Sequence, residues 1–327
     1  MMISSGILLS YAVDLGILAA MGGRWRMMLG AAALPSLVMM AGVFSLVESP
    51  RWLVGKGRIE EGRKALEKLR KTTAVDQEFQ EILSASAKES AAGDEDSSAA
   101  ASSASIKELL SHGPSSRKLV VCVFLQAFQQ VCGINAIVYF TPLILREAGV
   151  SKLTGKVLTN PEAASMLSTI VAYAPKIPAL LVASKLMDRM GRKKLLTTFT
   201  PIMGASLVTL ASCFRWLEPG NPVRAALAVL SIMTYGVVFC MSLGPIPSIL
   251  SSEIFASRYR SAGMSASVFA QWTFNALVTL CFPVLQHKIG TENVLWIFGA
   301  MCAAATIFSK LLVPETKGMS LEELGNE

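Results

Sequence analysis

Three side-chain amides stand close together in one apolar stretch of the chain: Gln129, Gln130 and Asn135. An amide offers an acceptor oxygen and two N–H donors, so it can match a hydroxyl group, which both donates and accepts. A ligand with several hydroxyl groups is therefore one chemistry that this cluster fits. The alternative is hydrogen bonding between helices that only holds a bundle together. The spacing of the three residues leaves both interpretations open.

The elements that carry these amides must lie largely in a membrane. Of the 327 residues, 52% are hydrophobic and only 16% are charged, and the mean hydropathy is +0.50. A soluble protein carries about a quarter charged residues, so most of this chain cannot face water. Helices are expected, because every backbone polar group in lipid needs a partner within the protein. The composition therefore predicts an all-α, multi-pass membrane protein with the lipid bilayer as its partner.

Eight apolar segments are each about long enough to cross a hydrocarbon core of ~30 Å. They are Met2–Met21, Met27–Val47, Leu119–Phe140, Ala163–Met187, Leu195–Phe214, Ala226–Leu250, Ala262–Leu285 and Val294–Val313. Alternate loops, including the short cluster Arg189–Lys194, hold most of the lysines and arginines, and that side is predicted to be cytosolic. An even number of spans places both termini there. The net charge of +7 does not indicate a nucleic-acid partner, because the basic residues lie in separate clusters.

The segment between the second and third predicted spans differs from the rest. Arg58–Lys71 has acids and bases interleaved at helical spacing, and Ser84–Ser105 is rich in Ala and Ser and predicts a disordered, flexible linker. The chain is therefore divided into four parts. They are residues 1–47 with two spans, 48–118 as a cytosolic insert with short helices and the linker, 119–314 with six spans, and 315–327 as a cytosolic tail.

Two spans contain features that break or polarise a helix. Gly244-Pro245-Ile-Pro247 lacks two backbone donors and predicts a broken helix, which at membrane depth occurs where it lines a cavity. Gln271 and Asn275 are four residues apart and share a helix face in the following span. This face either lines a cavity or only packs against neighbouring helices, and the spacing leaves both interpretations open.

A lysine, Lys176, lies near the middle of the fourth predicted span. A charge there costs a few kcal/mol unless it is paired or reaches water. One hypothesis is that Lys176 faces a central cavity and binds an anionic group or pairs with an acid. The other is an inward-facing lysine that backbone carbonyls and water satisfy.

Enzyme and metal chemistry are not indicated. The six cysteines lie in or next to apolar runs without a paired metal-binding spacing, so no metal site or disulfide framework is expected. The sequence shows no nucleophile–base set and no phosphate-binding loop. We expect no enzymatic activity and no cofactor.

Four motifs at the ends of spans complete the pattern. They are Glu48-Ser-Pro-Arg-Trp-Leu53, Asp188-Arg-Met-Gly-Arg-Lys193, Ser252-Glu-Ile-Phe-Ala-Ser-Arg258 with Arg260, and Pro314-Glu-Thr-Lys-Gly318. Together with the amide cluster, Tyr139 and the Gly-Pro-Ile-Pro sequence, in this order and spacing, they resemble the sugar porter family of the major facilitator superfamily. The likeness covers the whole chain and is strongest to plant vacuolar (tonoplast) monosaccharide transporters.

The resemblance implies the major facilitator fold, with the eight spans corresponding to spans 5–12 of twelve, and four preceding spans are expected to be missing. It assigns sugar binding to the amide cluster and to Asn275. Ser248 stands where many relatives have a tryptophan that stacks on the sugar, and Lys176 stands where many have a sugar-binding asparagine. The candidate substrate-binding residues are Gln129, Gln130, Asn135, Tyr139, Lys176, Ser248, Gln271 and Asn275.

The same resemblance assigns a gating role to charged residues at the cytosolic span ends. They are expected to form salt bridges between the two transporter halves that hold the outward-facing state. These residues are Glu48, Arg51, Asp188, Arg189, Arg192, Glu253, Arg258 and Arg260.

The implied function is transport of a hexose-like monosaccharide by alternating access, in a vacuolar or plasma membrane, by a chain that is incomplete as given. One alternative is a sugar sensor that binds without transporting. Another is a regulatory or non-functional fragment of a transporter. Proton coupling stays open, because the acid and base of proton-coupled relatives lie in early spans.

Overall fold

A computed structural model of the chain describes residues 2–22, 24–72, 75–94, 106–111, 113–150, 161–255 and 257–317. The regular elements in these ranges are α-helices. In chain order they are α1 (Met2–Met21), α2 (Trp25–Ala31), α3 (Ala33–Val43), α4 (Pro50–Gly55), α5 (Ile59–Arg70), α6 (Asp76–Asp94), α7 (Ile106–Ser111), α8 (Gly113–Val131), α9 (Ile134–Ala148), α10 (Pro161–Tyr173), α11 (Lys176–Met190), α12 (Arg192–Trp216), α13 (Pro222–Met241), α14 (Ile246–Glu253), α15 (Ser257–Ile289) and α16 (Thr291–Leu312).

Eight stretches of helix are long and apolar enough to cross a membrane, which confirms the predicted number of spans. Four of them consist of two helices in succession: α2 with α3, α8 with α9, α10 with α11, and α13 with α14. The stretch from Ser115 to Ala148 is 34 residues long, whereas the sequence predicts Leu119–Phe140. It is longer because helical structure resumes after a break at Gly133 and continues past the apolar run.

The chain divides into two compact units. The first contains residues 1–25 and 104–327. Within it α12 packs along α16 and α13, α8 packs along α15, and α1 packs on α10. Small residues permit the close contact of α12 with α16: a Cβ on Gly299 would lie 3.0 Å from Val208, and one on Gly204 would lie 3.0 Å from Cys302. Such small-residue contacts are typical of helix packing in membranes.

The second unit, residues 26–103, contains α2 to α6. Val54, Leu66, Val75, Phe79 and Ile82 form a small buried core between α4, α5 and α6. The surface of this unit carries Arg–carboxylate pairs that are well exposed to solvent and contribute little to stability.

The prediction of a flexible linker at Ser84–Ser105 differs from the structure in the first half of this stretch, which is helical. Helix α6 continues to Asp94. The physical reason is that alanine, which is frequent in this stretch, has the highest helix propensity and offsets the serines. Residues 95–105 lie outside the described residues.

Candidate functional site

The span that carries the amide cluster breaks at Gly133. Helix α8 ends at Val131 and α9 begins at Ile134, and Gly133 has a φ of 92°. A Cβ at this position would lie 2.5 Å from the ring of Phe298, so a residue other than glycine would be strained and would clash. The Tyr235 hydroxyl donates to the Cys132 carbonyl at 3.1 Å, next to the break. The break is therefore built into the packing of the bundle.

A second break separates α13 from α14, at the Gly-Pro-Ile-Pro sequence. In a continuous helix the Leu243 carbonyl would accept from the N–H four residues later, but that residue is Pro247, which has none. The amide of Gln129 takes its place. Its Nε2 donates to the carbonyl oxygens of Leu243 at 2.7 Å and of Gly244 at 2.8 Å.

These two carbonyls fix the direction of a chain of amides. Because a carbonyl can only accept, the nitrogen of Gln129 must face the break and its Oε1 must face the other way. That oxygen accepts from Gln130 Nε2 and from Gln271 Nε2, both at 3.1 Å. Gln130 Oε1 in turn accepts from Asn135 Nδ2 at 2.6 Å. The structure thus joins four predicted site residues in one hydrogen-bonded chain.

The members of this chain differ in how much hydrogen-bonding capacity they retain. Gln129 is 5% exposed and uses both donors and both acceptor positions, so it positions the others. Asn135 and Gln271 are half-buried, and within the described part of the chain neither side-chain oxygen accepts a hydrogen bond. The accessible end of the chain therefore presents carbonyl oxygens that could accept from the hydroxyl groups of a ligand.

One further amide, Gln126, was missed by the sequence analysis. It is fully buried, and its Nε2 makes a long contact of 3.5 Å with the Oγ of Ser248, which is exposed. Its Oε1 has no hydrogen-bond partner among the described residues. The signal was present in the sequence: Gln126 lies three and four residues before Gln129 and Gln130, on the same helix face.

Besides Ser248 and Lys176, two more predicted residues, Asn275 and Tyr139, lie outside the amide chain. Asn275 is half-buried one turn from Gln271, and its Oδ1 accepts from the hydroxyl of Thr279 at 3.2 Å. Tyr139 is 55% exposed on α9. The hydrogen bonds of the described residues do not connect either side chain to Gln129 or Gln130.

Lys176 lies at the first residue of α11 and is 8% exposed. Its Nζ is 5.3 Å from the centre of the Tyr173 ring and 5.8 Å from that of Phe239, which is the geometry of cation–π contacts. The Phe239 ring also packs 3.1 Å from the Cβ position of Gly244, so one ring separates the ammonium group from the second break. No carboxylate in the described ranges forms an ion pair with Lys176.

At the other candidate site, Arg192 and Glu253 form an ion pair. Arg192 Nη2 lies 2.7 Å from Glu253 Oε1, and the side chains are 18% and 23% exposed. Glu253 Oε2 also accepts from the Thr316 hydroxyl at 2.7 Å. The sequence predicts pairs between the two transporter halves; in the structure these two residues pair with each other inside the first unit. They do so because α12 begins, and α14 ends, at the same end of the bundle.

Glu315 caps the start of α12 and was also missed as a site residue. Its carboxylate accepts from the backbone N–H groups of Arg192 at 2.8 Å and Lys193 at 3.2 Å, where the helix dipole favours a negative charge. Gly191, with a φ of 86°, permits this approach, since a Cβ there would lie 2.6 Å from the Glu315 carboxylate. Lys317 Nζ donates to the Arg189 carbonyl at 2.7 Å. The Pro314-Glu-Thr-Lys motif was the signal.

The other predicted gating residues have less defined surroundings. Glu48 and Arg51 are exposed and belong to the second unit. The Nε and Nη2 atoms of Arg260 are buried and have no hydrogen-bond partner among the described residues. The side chains of Asp188 and Arg258 lie outside the described part of the chain.

We predict that Gln129→Leu lowers the free energy of unfolding by about 2 kcal/mol or more, because it leaves the buried carbonyl of Leu243 and the half-buried carbonyl of Gly244 without this donor. The measurement is thermal unfolding of the purified chain in detergent. Gln80→Leu, which removes an exposed amide in α6, is the matched control and is expected to change little. Equal stability of the Gln129 and Gln80 variants would contradict the bracing role of Gln129.

Comparison with known proteins assigns the chain to a family. The family described as "Sugar (and other) transporter" matches residues 1–327. The chain is 31% identical to the major myo-inositol transporter IolT of Bacillus subtilis and 30% identical to the galactose-proton symporter of Escherichia coli, each over 99% of this chain and 65% of the relative. It is 39% identical to monosaccharide-sensing protein 2 of Arabidopsis thaliana, over 64% of this chain and 29% of the relative.

A solved structure of the xylose transporter XylE of E. coli, in a partially occluded inward-open conformation, superposes with a TM-score of 0.73 at 28% identity. It covers 97% of this chain, which covers 62% of XylE. The major facilitator fold is thereby confirmed. IolT, the galactose-proton symporter and XylE are named as transporters or symporters and not as enzymes, as the sequence predicts. The chain spans about two-thirds or less of the length of these relatives. It is an integral, multi-pass membrane protein that belongs to the family of sugar (and other) transporters.

Proposed function

We propose that this chain supplies the sugar-binding part of a carrier for hexose-like monosaccharides that works by alternating access. The observation that carries the proposal is the amide chain braced on a helix break, with unused oxygens at its accessible end. Polar side chains at membrane depth are costly and normally face a cavity or a ligand path. The relatives named for myo-inositol, galactose and xylose all take ligands with several hydroxyl groups, which is the chemistry that these oxygens fit.

The substrate contacts follow from the capacity of each amide. Sugar hydroxyls would donate to Asn135 Oδ1 and Gln271 Oε1, and Gln130 would donate its second N–H to a sugar oxygen. Asn275 lies one turn along the same face of α15, and Ser248 and Tyr139 are exposed residues that complete the proposed set. Gln129 would act indirectly, through the orientation that it gives to Gln130 and Gln271.

The domain organisation and orientation form part of the proposal. Residues 1–47 would be the last two spans of one transporter half, 48–118 a cytosolic insert, 119–314 the other half, and 315–327 a cytosolic tail. The basic residues of alternate loops support cytosolic termini. We place the protein in a vacuolar or plasma membrane. Proton symport is a further part of the proposal, supported by the galactose-proton symporter among the relatives.

A second candidate function is sugar sensing without transport. It is favoured by the 39% identity to a monosaccharide-sensing protein over 212 residues. Both functions require sugar binding, and only the carrier moves sugar across the membrane. Equilibrium binding together with uptake in cells that lack their own hexose carriers therefore separates them: binding with uptake supports the carrier, and binding without uptake supports the sensor.

We predict that Asn135→Ala weakens hexose binding about tenfold, because one hydrogen bond to the ligand is lost and its partner is left unpaired. The measurement is equilibrium binding of labelled glucose, galactose and xylose to the purified chain in lipid nanodiscs. Asn293→Ala, which removes an exposed amide in α16, is the control and should bind as the unchanged chain does. Unchanged affinity of the Asn135 variant would contradict the proposed site.

For Lys176 we propose a preference for sugars that carry a negative group. In Lys176→Asn, glucuronate should compete at least tenfold less well with a labelled hexose for binding, because only the anionic ligand loses a charge partner. Competition by neutral glucose should stay within about twofold. Lys185→Asn, an exposed lysine of the same helix, is the matched control. An unchanged ranking of the two sugars would show that Lys176 does not select the ligand and only packs against the rings of Tyr173 and Phe239.

We predict that Glu253→Gln slows sugar uptake several-fold without a comparable loss of sugar binding. The substitution weakens a charge-assisted bond to Arg192 at one end of the bundle, and such bonds set the balance between two conformations. Uptake and binding are compared with those of Glu60→Gln, an exposed acid in α5. A variant that loses binding and uptake to the same extent would argue for a role in the substrate site or in folding.

A further inference from the structure

A pocket of about 470 Å³ opens in the second unit, close to where the second span ends. Helix α3 ends at Val43, and the pocket wall includes Val47 and Glu48, four and five residues later. The headgroup layer on each side of a bilayer is roughly 5–8 Å thick. We therefore expect a site so soon after a span to lie close to the lipid headgroups.

The cationic wall of this pocket comes from one face of α5. Lys64 and Lys68 are four residues apart, so both side chains stand on the same face, and both line the pocket. Neither forms an ion pair with a described residue, whereas three arginines of this unit pair with carboxylates: Arg58 with Glu61, Arg63 with Asp76 and Arg70 with Glu78. The two lysines are therefore the cations of the pocket wall that form no ion pair within the described part of the chain, although the charge of Lys64 also acts on Glu61.

The acids of the pocket do not cancel them. Arg58 binds Glu61 through two hydrogen bonds of 2.6 and 2.9 Å, and this guanidinium lowers the pKa of the Glu61 carboxyl, so the pair stays ionised and neutral as a whole. Glu48 is the one remaining acid among the lining residues. With three cations and two anions, the pocket keeps an excess of positive charge.

The rest of the lining suits the boundary between lipid and water. Trp52, 47% exposed, forms part of the wall, and tryptophan is enriched at the headgroup level of membranes. The buried Leu53 and Ala65 form an apolar floor. An apolar floor with a cationic rim fits an amphipathic, negatively charged molecule better than a free ion.

We propose that this pocket binds the phosphate-bearing headgroup of an anionic membrane lipid. The position directly after a span, the unpaired lysines and the interfacial tryptophan point to the same ligand class. Lysines near an anionic leaflet each add to the attraction for such lipids. The site is separate from the amide chain and does not depend on whether the chain transports sugar.

The test uses the full chain, purified in a neutral detergent and titrated with phosphatidylinositol phosphate, phosphatidic acid or phosphatidylcholine while thermal unfolding is recorded. We expect the anionic lipids to raise the unfolding temperature and phosphatidylcholine to leave it unchanged. In Lys64→Gln/Lys68→Gln the lipid concentration needed for half the effect should rise at least tenfold. Lys56→Gln/Lys71→Gln, in the same unit but outside the pocket wall, should behave as the unchanged chain does.

Three results would overturn the proposal. One is an equal response to phosphatidylcholine, and another is an equal loss of response in both double variants. The third is a full effect of inositol phosphate or inorganic phosphate alone, which would make the ligand a soluble phosphate. Trp52→Ala provides an independent check: weaker lipid response at unchanged unfolding temperature without lipid supports the pocket, and an unchanged lipid response counts against it.

Discussion

The hydrogen bonds from Gln129 to the carbonyls of Leu243 and Gly244 are the interaction on which the candidate site depends. Two prolines interrupt a membrane helix, and an unsatisfied carbonyl at that depth costs several kcal/mol as an order of magnitude. The amide of a different helix supplies the missing donor. Since carbonyls cannot donate, this contact also decides which way every amide linked to Gln129 must point.

A division of labour follows from that polarity. All hydrogen-bonding positions of the Gln129 side chain are occupied, whereas the half-buried Asn135 and Gln271 keep free acceptor oxygens within the described part of the chain. The neighbouring break at Gly133 is held by the Phe298 ring and the Tyr235 hydroxyl. Specific side chains therefore stabilise both helix breaks, and the core of the bundle stays packed around them. For the carrier proposed above, alternating access would require the bundle to bend without leaving backbone groups unpaired, and breaks whose backbone groups side chains already satisfy would meet this requirement.

The sequence was sufficient for features that depend on local pattern. Long apolar runs predict the eight spans because a helix must be about 20 residues long to cross the bilayer. Pro245 and Pro247 predict a break for the same kind of local reason. The role of Gln129 could not be predicted, because it depends on a carbonyl 114 residues away along the chain. Pairing between Arg192 and Glu253 depends in the same way on how distant helix ends meet.

The second unit shows that composition alone can also mislead. Composition predicts a linker from Ser84, yet α6 continues to Asp94, because alanine supports a helix wherever no competing structure forms.

Gln126 in the first unit shows a pattern that could have been recognised in the sequence and was overlooked, since its spacing to Gln129 and Gln130 is helical. That Gln126 is buried and that its Oε1 has no partner among the described residues could not be read from the spacing, because both are properties of the folded bundle.

The most direct measurement is a double-mutant cycle on thermal unfolding with Gln129→Leu and Pro247→Ala. Ile246 N–H already bonds the Ser242 carbonyl at 3.4 Å, so an N–H at position 247 would face the Leu243 carbonyl in the same register. We predict that Pro247→Ala recovers about 1 kcal/mol of the stability lost in Gln129→Leu, as a coupling energy between the two sites. Strict additivity of the two substitutions would contradict the claim that the Gln129 amide stands in for the donor that proline lacks.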